Sequence, residues 1–126
     1  MATADVTILG AGVFGLSVAF CCAQRGARVR LIDPAGVASG ASGGIVGALA
    51  PHTPDLWLPK KQFQLESLLY SRRFWPEVEA ISGLTTGFAS HGRLQPIDEV
   101  RLIALAPYRI EDADKNWGDA AVWEVI

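Results

Sequence analysis

The chain has 126 residues, half of them hydrophobic and 19% charged, with a formal net charge of -2. That size predicts one domain, and the apolar fraction excludes a disordered chain. The slight acidity gives no electrostatic reason to expect a nucleic-acid or anionic-lipid partner. Charge is uneven: residues 1–97 carry 8 basic and 6 acidic side chains, and residues 98–126 carry 3 and 7. The acidic end reads as a solvated surface.

Residues 6–24 contain no charged side chain. A membrane span or secretory signal is disfavoured all the same. Asp5 stands where a basic flank would be needed, and Gly10, Gly12 and Gly15 cluster in the middle of the stretch. The stretch instead divides into a strand and a helix. Val6–Leu9 is β-branched and uncharged, as in a parallel strand buried on both faces. Gly10-Ala11-Gly12-Val13-Phe14-Gly15 follows, then a predicted helix over Leu16–Gln24 stopped at Gly26. Ala27–Ile32 is a second predicted strand, closed by Asp33 and Pro34.

This spacing has a physical purpose. Gly10 permits a tight turn, Gly12 lets a pyrophosphate approach bare backbone, and Gly15 lets the helix pack on the strand. The helix start offers N–H groups to phosphate. Asp33, 18 residues beyond Gly15, can accept hydrogen bonds from ribose hydroxyls and repels a 2′-phosphate. Strand, glycine turn, helix and terminal acid together predict a dinucleotide site. Cys21 and Cys22 are adjacent, which excludes a mutual disulfide; they read as reduced helix residues in a cytoplasmic protein.

Residues 34–47 hold five glycines, with Ser39 and Ser42 as the only hydroxyls, and run on into the apolar Ile45–Ala50. A nicotinamide-binding fold more commonly continues into an amphipathic helix. Exposed main-chain donors followed by an apolar run suit a cofactor with a flat ring, such as FAD.

Pro59–Ile81 has helical spacing in Phe63, Leu65, Leu68, Leu69, Phe74, Trp75, Val78 and Ile81, with Phe63, Trp75 and the leucines read as core. Pro76 predicts either a kink or a second helix, and Gly83 a stop. Arg72 and Arg73 read as a solvated face. A short hairpin is predicted over Gly87–Ile97, a helix from an Asp98 cap to about Ala106, irregular chain over 111–120, and a strand over Val122–Ile126. His52 and His91 read as loop histidines, and no catalytic triad, metal set or carboxylate pair can be assembled.

Gly10–Gly15, Asp33 and the run Ala38–His52 resemble the FAD-dependent oxidoreductases of the D-amino-acid oxidase superfamily. The likeness is strongest to glycine oxidase-like enzymes and to the flavin domain of the bifunctional tRNA 5-methylaminomethyl-2-thiouridine enzyme. It continues through the helix near 61–82 and through Gly92-Arg93-Leu94, and so spans most of the chain. The resemblance implies an α/β, Rossmann-like FAD-binding fold with an incomplete parallel sheet. It further implies a dinucleotide-binding and flavin-loop part (1–50) and a substrate-side part (51–126) that includes the hairpin. It implies that Gly10, Gly12, Val13, Phe14 and Gly15 hold the pyrophosphate, and that Asp33 and Pro34 bind the adenosine ribose. Ala41 and Ser42 would meet the phosphate and ribityl region, and Val46, Gly47 and Ala48 the isoalloxazine. The family more often has Glu at the Asp33 position, so the ribose contact would be shorter or water-bridged.

The implied activity is oxidation of a small amine or amino acid by hydride transfer to flavin, with no acid or base required from this chain. The resembled enzymes are several hundred residues long. The expectation is therefore an N-terminal portion, a truncated product or half of a split protein, associating with itself or a complementing chain and giving no turnover alone. The alternatives are a nicotinamide-dependent enzyme, which leaves 36–47 unexplained, and a non-catalytic fragment.

Overall fold

The computed structural model describes residues 3–126, which form two compact units, 3–48 and 49–126. In the first unit, β1 (Val6–Leu9) leads into α1 (Val13–Gln24) and then β2 (Val29–Ile32). The strands pair in parallel with Val6 opposite Val29 and Leu9 opposite Ile32, and α1 packs on both. Asp5 fastens the entrance of the pair, accepting from the Arg28 backbone N–H (2.9 Å), Nε (3.0 Å) and Nη2 (2.7 Å). Three differences from the sequence expectation appear here. Helix α1 begins three residues earlier than predicted, because Gly12 already supplies the carbonyl that receives Leu16 N–H. Strand β2 begins two residues later. Neither strand is buried on both faces, since each alternates half-buried and exposed positions, with α1 packed against them.

In the second unit, α2 (Pro59–Ser82) is one continuous helix with Pro76 inside it. A proline there removes one helical hydrogen bond, costing about 3 kcal/mol. Around it Phe74 is buried and meets Trp75 edge-on at 5.0 Å. Gly83 closes the helix in the left-handed region (φ 69°) and donates to the Glu79 carbonyl. The Glu79 carboxylate then holds the exit, accepting from Thr86 N–H and Oγ1, both at 2.7 Å.

Beyond it come α3 (Val100–Leu105) and α4 (Tyr108–Trp117). Helix α3 starts two residues past Asp98, with Glu99 rather than Asp98 at the cap position. Helix α4 overturns the irregular segment predicted over 111–120. Its polar run hides a narrow apolar stripe, Ala113 and Trp117 four residues apart, which packs on Leu65 of α2 with Trp57, Leu69, Ala121 and Trp123 around it. Leu65 is core as predicted and Phe74 is buried with it, but Phe63 is 72% exposed. It lies two residues from Leu65 and so about 200° round the helix.

The hairpin predicted over Gly87–Ile97 and the strand predicted over Val122–Ile126 do not form among the described residues. Both segments are mostly exposed and unladdered. A lone two-stranded hairpin is marginal, and Pro96 withholds a donor.

Residues 52–57 are held by side chains of the helices. Gln64 accepts from His52 N–H (2.8 Å), Asn116 donates to the Pro54 carbonyl (3.0 Å), and Lys61 donates to the Thr53 (2.7 Å) and Asp55 carbonyls. Arg109 Nε pairs with Asp55 Oδ1 at 2.8 Å, its guanidinium 5.3 Å over the Trp123 ring. Burial works to raise the Asp55 pKa; hydrogen bonds from Thr53, its own backbone and Arg109, with the charge of Arg109, outweigh it and hold the carboxyl below its ordinary value. Replacing Arg109 with Met is expected to destabilise this unit by about 1–2 kcal/mol, between an exposed and a buried ion pair. A denaturant midpoint measures it; an unchanged midpoint would show the pair to be decorative.

Candidate cofactor site

The site is the turn between β1 and α1, with the second glycine-rich segment laid across it. Gly10 leaves the strand at φ 100°, a conformation side-chain-bearing residues rarely adopt. At Gly15 a Cβ would be driven into the Gly10 carbonyl oxygen, with Gly10 C 3.0 Å and Ile8 Cγ2 3.4 Å away. The close approach of α1 to β1 therefore requires glycine there. At Gly12 a Cβ would come 3.1 Å from Ser42 Oγ. Gly12 has no side chain to cap α1, and the first turn carries no acid. The helix start thus offers backbone N–H groups and the positive end of the dipole, the requirement for holding phosphate.

Asp33 faces the mouth of this turn. Its Oδ2 accepts from the N–H of Ala11, itself 2% exposed, and its Oδ1 from the N–H of Ala35, both at 2.8 Å. The Ala11 amide, then those of Ala35 and Gly36, hold the carboxyl below its ordinary pKa. A carboxylate has about four acceptor sites, more than these amides use, so the group can brace the turn and still receive a ribose hydroxyl.

The second segment is tied to the first twice. Ala38 N–H donates to the Ala11 carbonyl (2.9 Å), and Ser42 Oγ accepts from Val13 N–H (2.9 Å). Residues Ala41–Gly43 form one 3-10 turn. Among the described residues, the atoms within 4 Å of a Cβ built at Gly12 belong to Ser42.

Of the residues singled out in the sequence, Gly10, Gly12, Val13, Phe14, Gly15, Asp33, Pro34, Ala41 and Ser42 lie at these turns, with Phe14 88% exposed on the first turn of α1. Val46, Gly47 and Ala48 follow in the same unit as irregular, exposed chain. His52 and His91 lie in the second unit with exposed side chains. Sequence reasoning missed two roles. Asp33 braces Ala11, and Ser42 caps α1 in place of the side chain Gly12 lacks; only the serine spacing hinted at the latter. The helix-start amides of Gly12 and Phe14, the open face of Gly10 and the nearby acid fit the diphosphate and ribose of a dinucleotide. Among the described residues no set of His, Cys, Asp or Glu gathers as metal ligands would, and no helix is long and apolar enough to cross a membrane.

Comparison with known proteins agrees with this chemistry. Residues 5–123 match the family described as FAD dependent oxidoreductase. Among curated proteins, the chain is similar to the tRNA 5-methylaminomethyl-2-thiouridine biosynthesis bifunctional protein MnmC of three organisms. The protein of Psychrobacter sp. (strain PRwf-1) is 39% identical over 75 residues, covering 60% of this chain and 10% of the relative. That of Maricaulis maris (strain MCS10) is 39% identical over 70 residues, covering 56% and 12%. That of Acinetobacter baylyi is 37% identical over 73 residues, covering 58% and 12%. The match thus spans about a tenth of these relatives' length. No solved structure matches.

Proposed function

Because the chain belongs to the FAD dependent oxidoreductase family, whose cofactor is FAD, we propose that its two glycine-rich turns hold the adenosine diphosphate half of FAD in a protein that oxidises an amine. The observation that carries this reading is the joint geometry of Asp33, Ala11, Gly12 and Ser42 at one helix start. The amides of Gly12 and Phe14, at a helix start free of acidic side chains, hold the pyrophosphate. Asp33 receives the ribose hydroxyls, with Pro34 turning the chain away behind it. Ala41 and Ser42 close over the phosphate and ribityl region. Val46, Gly47 and Ala48 present small, apolar, exposed chain for a flat ring to lie on. When bound, FAD supplies a two-electron acceptor for hydride from the carbon beside the amine. The chain's part is binding, orientation and exclusion of water, and no proton transfer is assigned to its side chains.

A free amine or amino acid, with no nucleic acid, was the expectation; the names of the similar proteins concern a methylaminomethyl group on tRNA. We therefore place an amine carried on a tRNA nucleoside ahead of a free one.

The experiment is anaerobic mixing of the FAD-loaded protein with amine-modified tRNA and, separately, with glycine and other small amines. Bleaching of the flavin absorbance by the tRNA is the expected result. Bleaching by small amines alone would restore the free substrate, and a protein that no amine reduces would overturn the amine reading. A nicotinamide-dependent protein would take NADH instead, and that reading leaves the ties from Ala38 and Ser42 without a purpose.

A further inference from the structure

We infer that Ser42 is a positioning residue that clasps the second glycine-rich turn onto the first before any cofactor arrives, so that FAD meets a preformed cleft rather than ordering a loose loop. The inference rests on the dinucleotide reading above and concerns how that site is assembled. Helix α1 begins at a residue with no side chain, so it has no cap of its own. The missing cap comes from 29 residues away, Ser42 Oγ accepting from Val13 N–H at 2.9 Å. A bare Gly12 gives this hydroxyl its room: a Cβ there would stand a tight 3.1 Å from Ser42 Oγ and 3.9 Å from its Cβ.

The clasp is not isolated. Ala38 holds a left-handed conformation (φ 55°), uncommon for a residue with a side chain, while its N–H donates to the Ala11 carbonyl at 2.9 Å. Ala11 in turn donates to Asp33. The segment from 38 to 42 is therefore pinned at both ends to the residues flanking Gly12, and the strained Ala38 turn persists because both pins hold it. Ser39, the other hydroxyl of the segment, lies outside this pair of ties. With its oxygen accepting from Val13, the Ser42 hydroxyl still has its own proton to give, and a phosphate oxygen at the helix start is an acceptor it can reach without the clasp opening. Ordering the loop in advance removes that entropic cost from the binding step.

The test compares the unchanged chain with Ser42→Ala, Ser42→Thr and Ser39→Ala, reading amide hydrogen exchange without ligand and equilibrium FAD binding. Ser42→Ala is expected to lose protection at the Val13 and Ala38 amides while the rest of α1 keeps its own, and to weaken FAD binding about tenfold. Ser42→Thr, which retains the hydroxyl, restores both, and Ser39→Ala changes neither. Loss of FAD affinity with Val13 protection intact would overturn the clasp and leave Ser42 as a simple contact. Loss of protection with unchanged affinity would overturn its role in preparing the cleft. An unchanged chain that shows Ser42-dependent protection yet takes up no FAD would sink the dinucleotide reading while supporting the clasp itself.

Discussion

Gly15→Ala is expected to weaken cofactor binding strongly and to destabilise the first unit. A Cβ at this position is driven into the Gly10 carbonyl, and its other neighbours, Gly10 C at 3.0 Å and Ile8 Cγ2 at 3.4 Å, leave no direction of escape. The blocking atoms are backbone, so relief requires α1 to move off β1. Overpacking of this kind costs about 3 kcal/mol. Displacement of the helix start also removes the phosphate donors from their place beneath the second turn, and the expected loss of FAD affinity is about 100-fold. Gly47→Ala is the comparison, because nothing lies within 4 Å of a Cβ there, and the melting temperature should not change. Thermal unfolding and FAD titration of both variants check the expectation; a Gly15→Ala protein that binds FAD normally would refute the close packing of α1 on β1.

Asp33→Ala carries the second largest expected effect. It removes the acceptor of two backbone N–H groups, that of Ala11 inside the turn and that of Ala35 beyond it, together with the proposed ribose contact. FAD affinity is expected to fall roughly tenfold or more, the order of one lost charge-assisted hydrogen bond. Asp33→Asn should lose less, since its carbonyl can still accept from Ala11. The carboxyl is held below its ordinary pKa, which fixes the sign of the pH effect. The folded chain binds the proton less readily than the unfolded one, so the stabilisation is complete above the ordinary carboxyl range near about pH 4 and is lost as pH falls through the lowered value. Acid titration of stability should therefore show a low-pH step that Asp33→Ala shrinks. A step of equal size in both proteins would place Asp33 outside the brace.

The β1–α1–β2 unit was legible because its determinants are local. Gly15 is demanded by one close approach, Gly10 by one turn, and Asp33 by the length of a helix and a strand. The clasp by Ser42 was less so, since a cap from 29 residues away leaves only a serine among glycines as its trace. Helix α4 was hidden by its acids: Ala113 and Trp117 alone face the core, too few for a periodic signal. The segments around Arg93 and Trp123 have the composition of strands, but a strand exists only where a partner supplies its ladder, and composition does not carry that information. Phe63 shows the same limit in a helix, where spacing identifies a stripe without fixing which of two neighbouring stripes is buried.

Equilibrium titration of the protein with FAD and, separately, with NADH tests the central claim most directly. FAD is expected to bind and NADH not to, with the FAD affinity falling in Asp33→Ala. Binding of NADH alone, or FAD binding indifferent to Asp33, would contradict it.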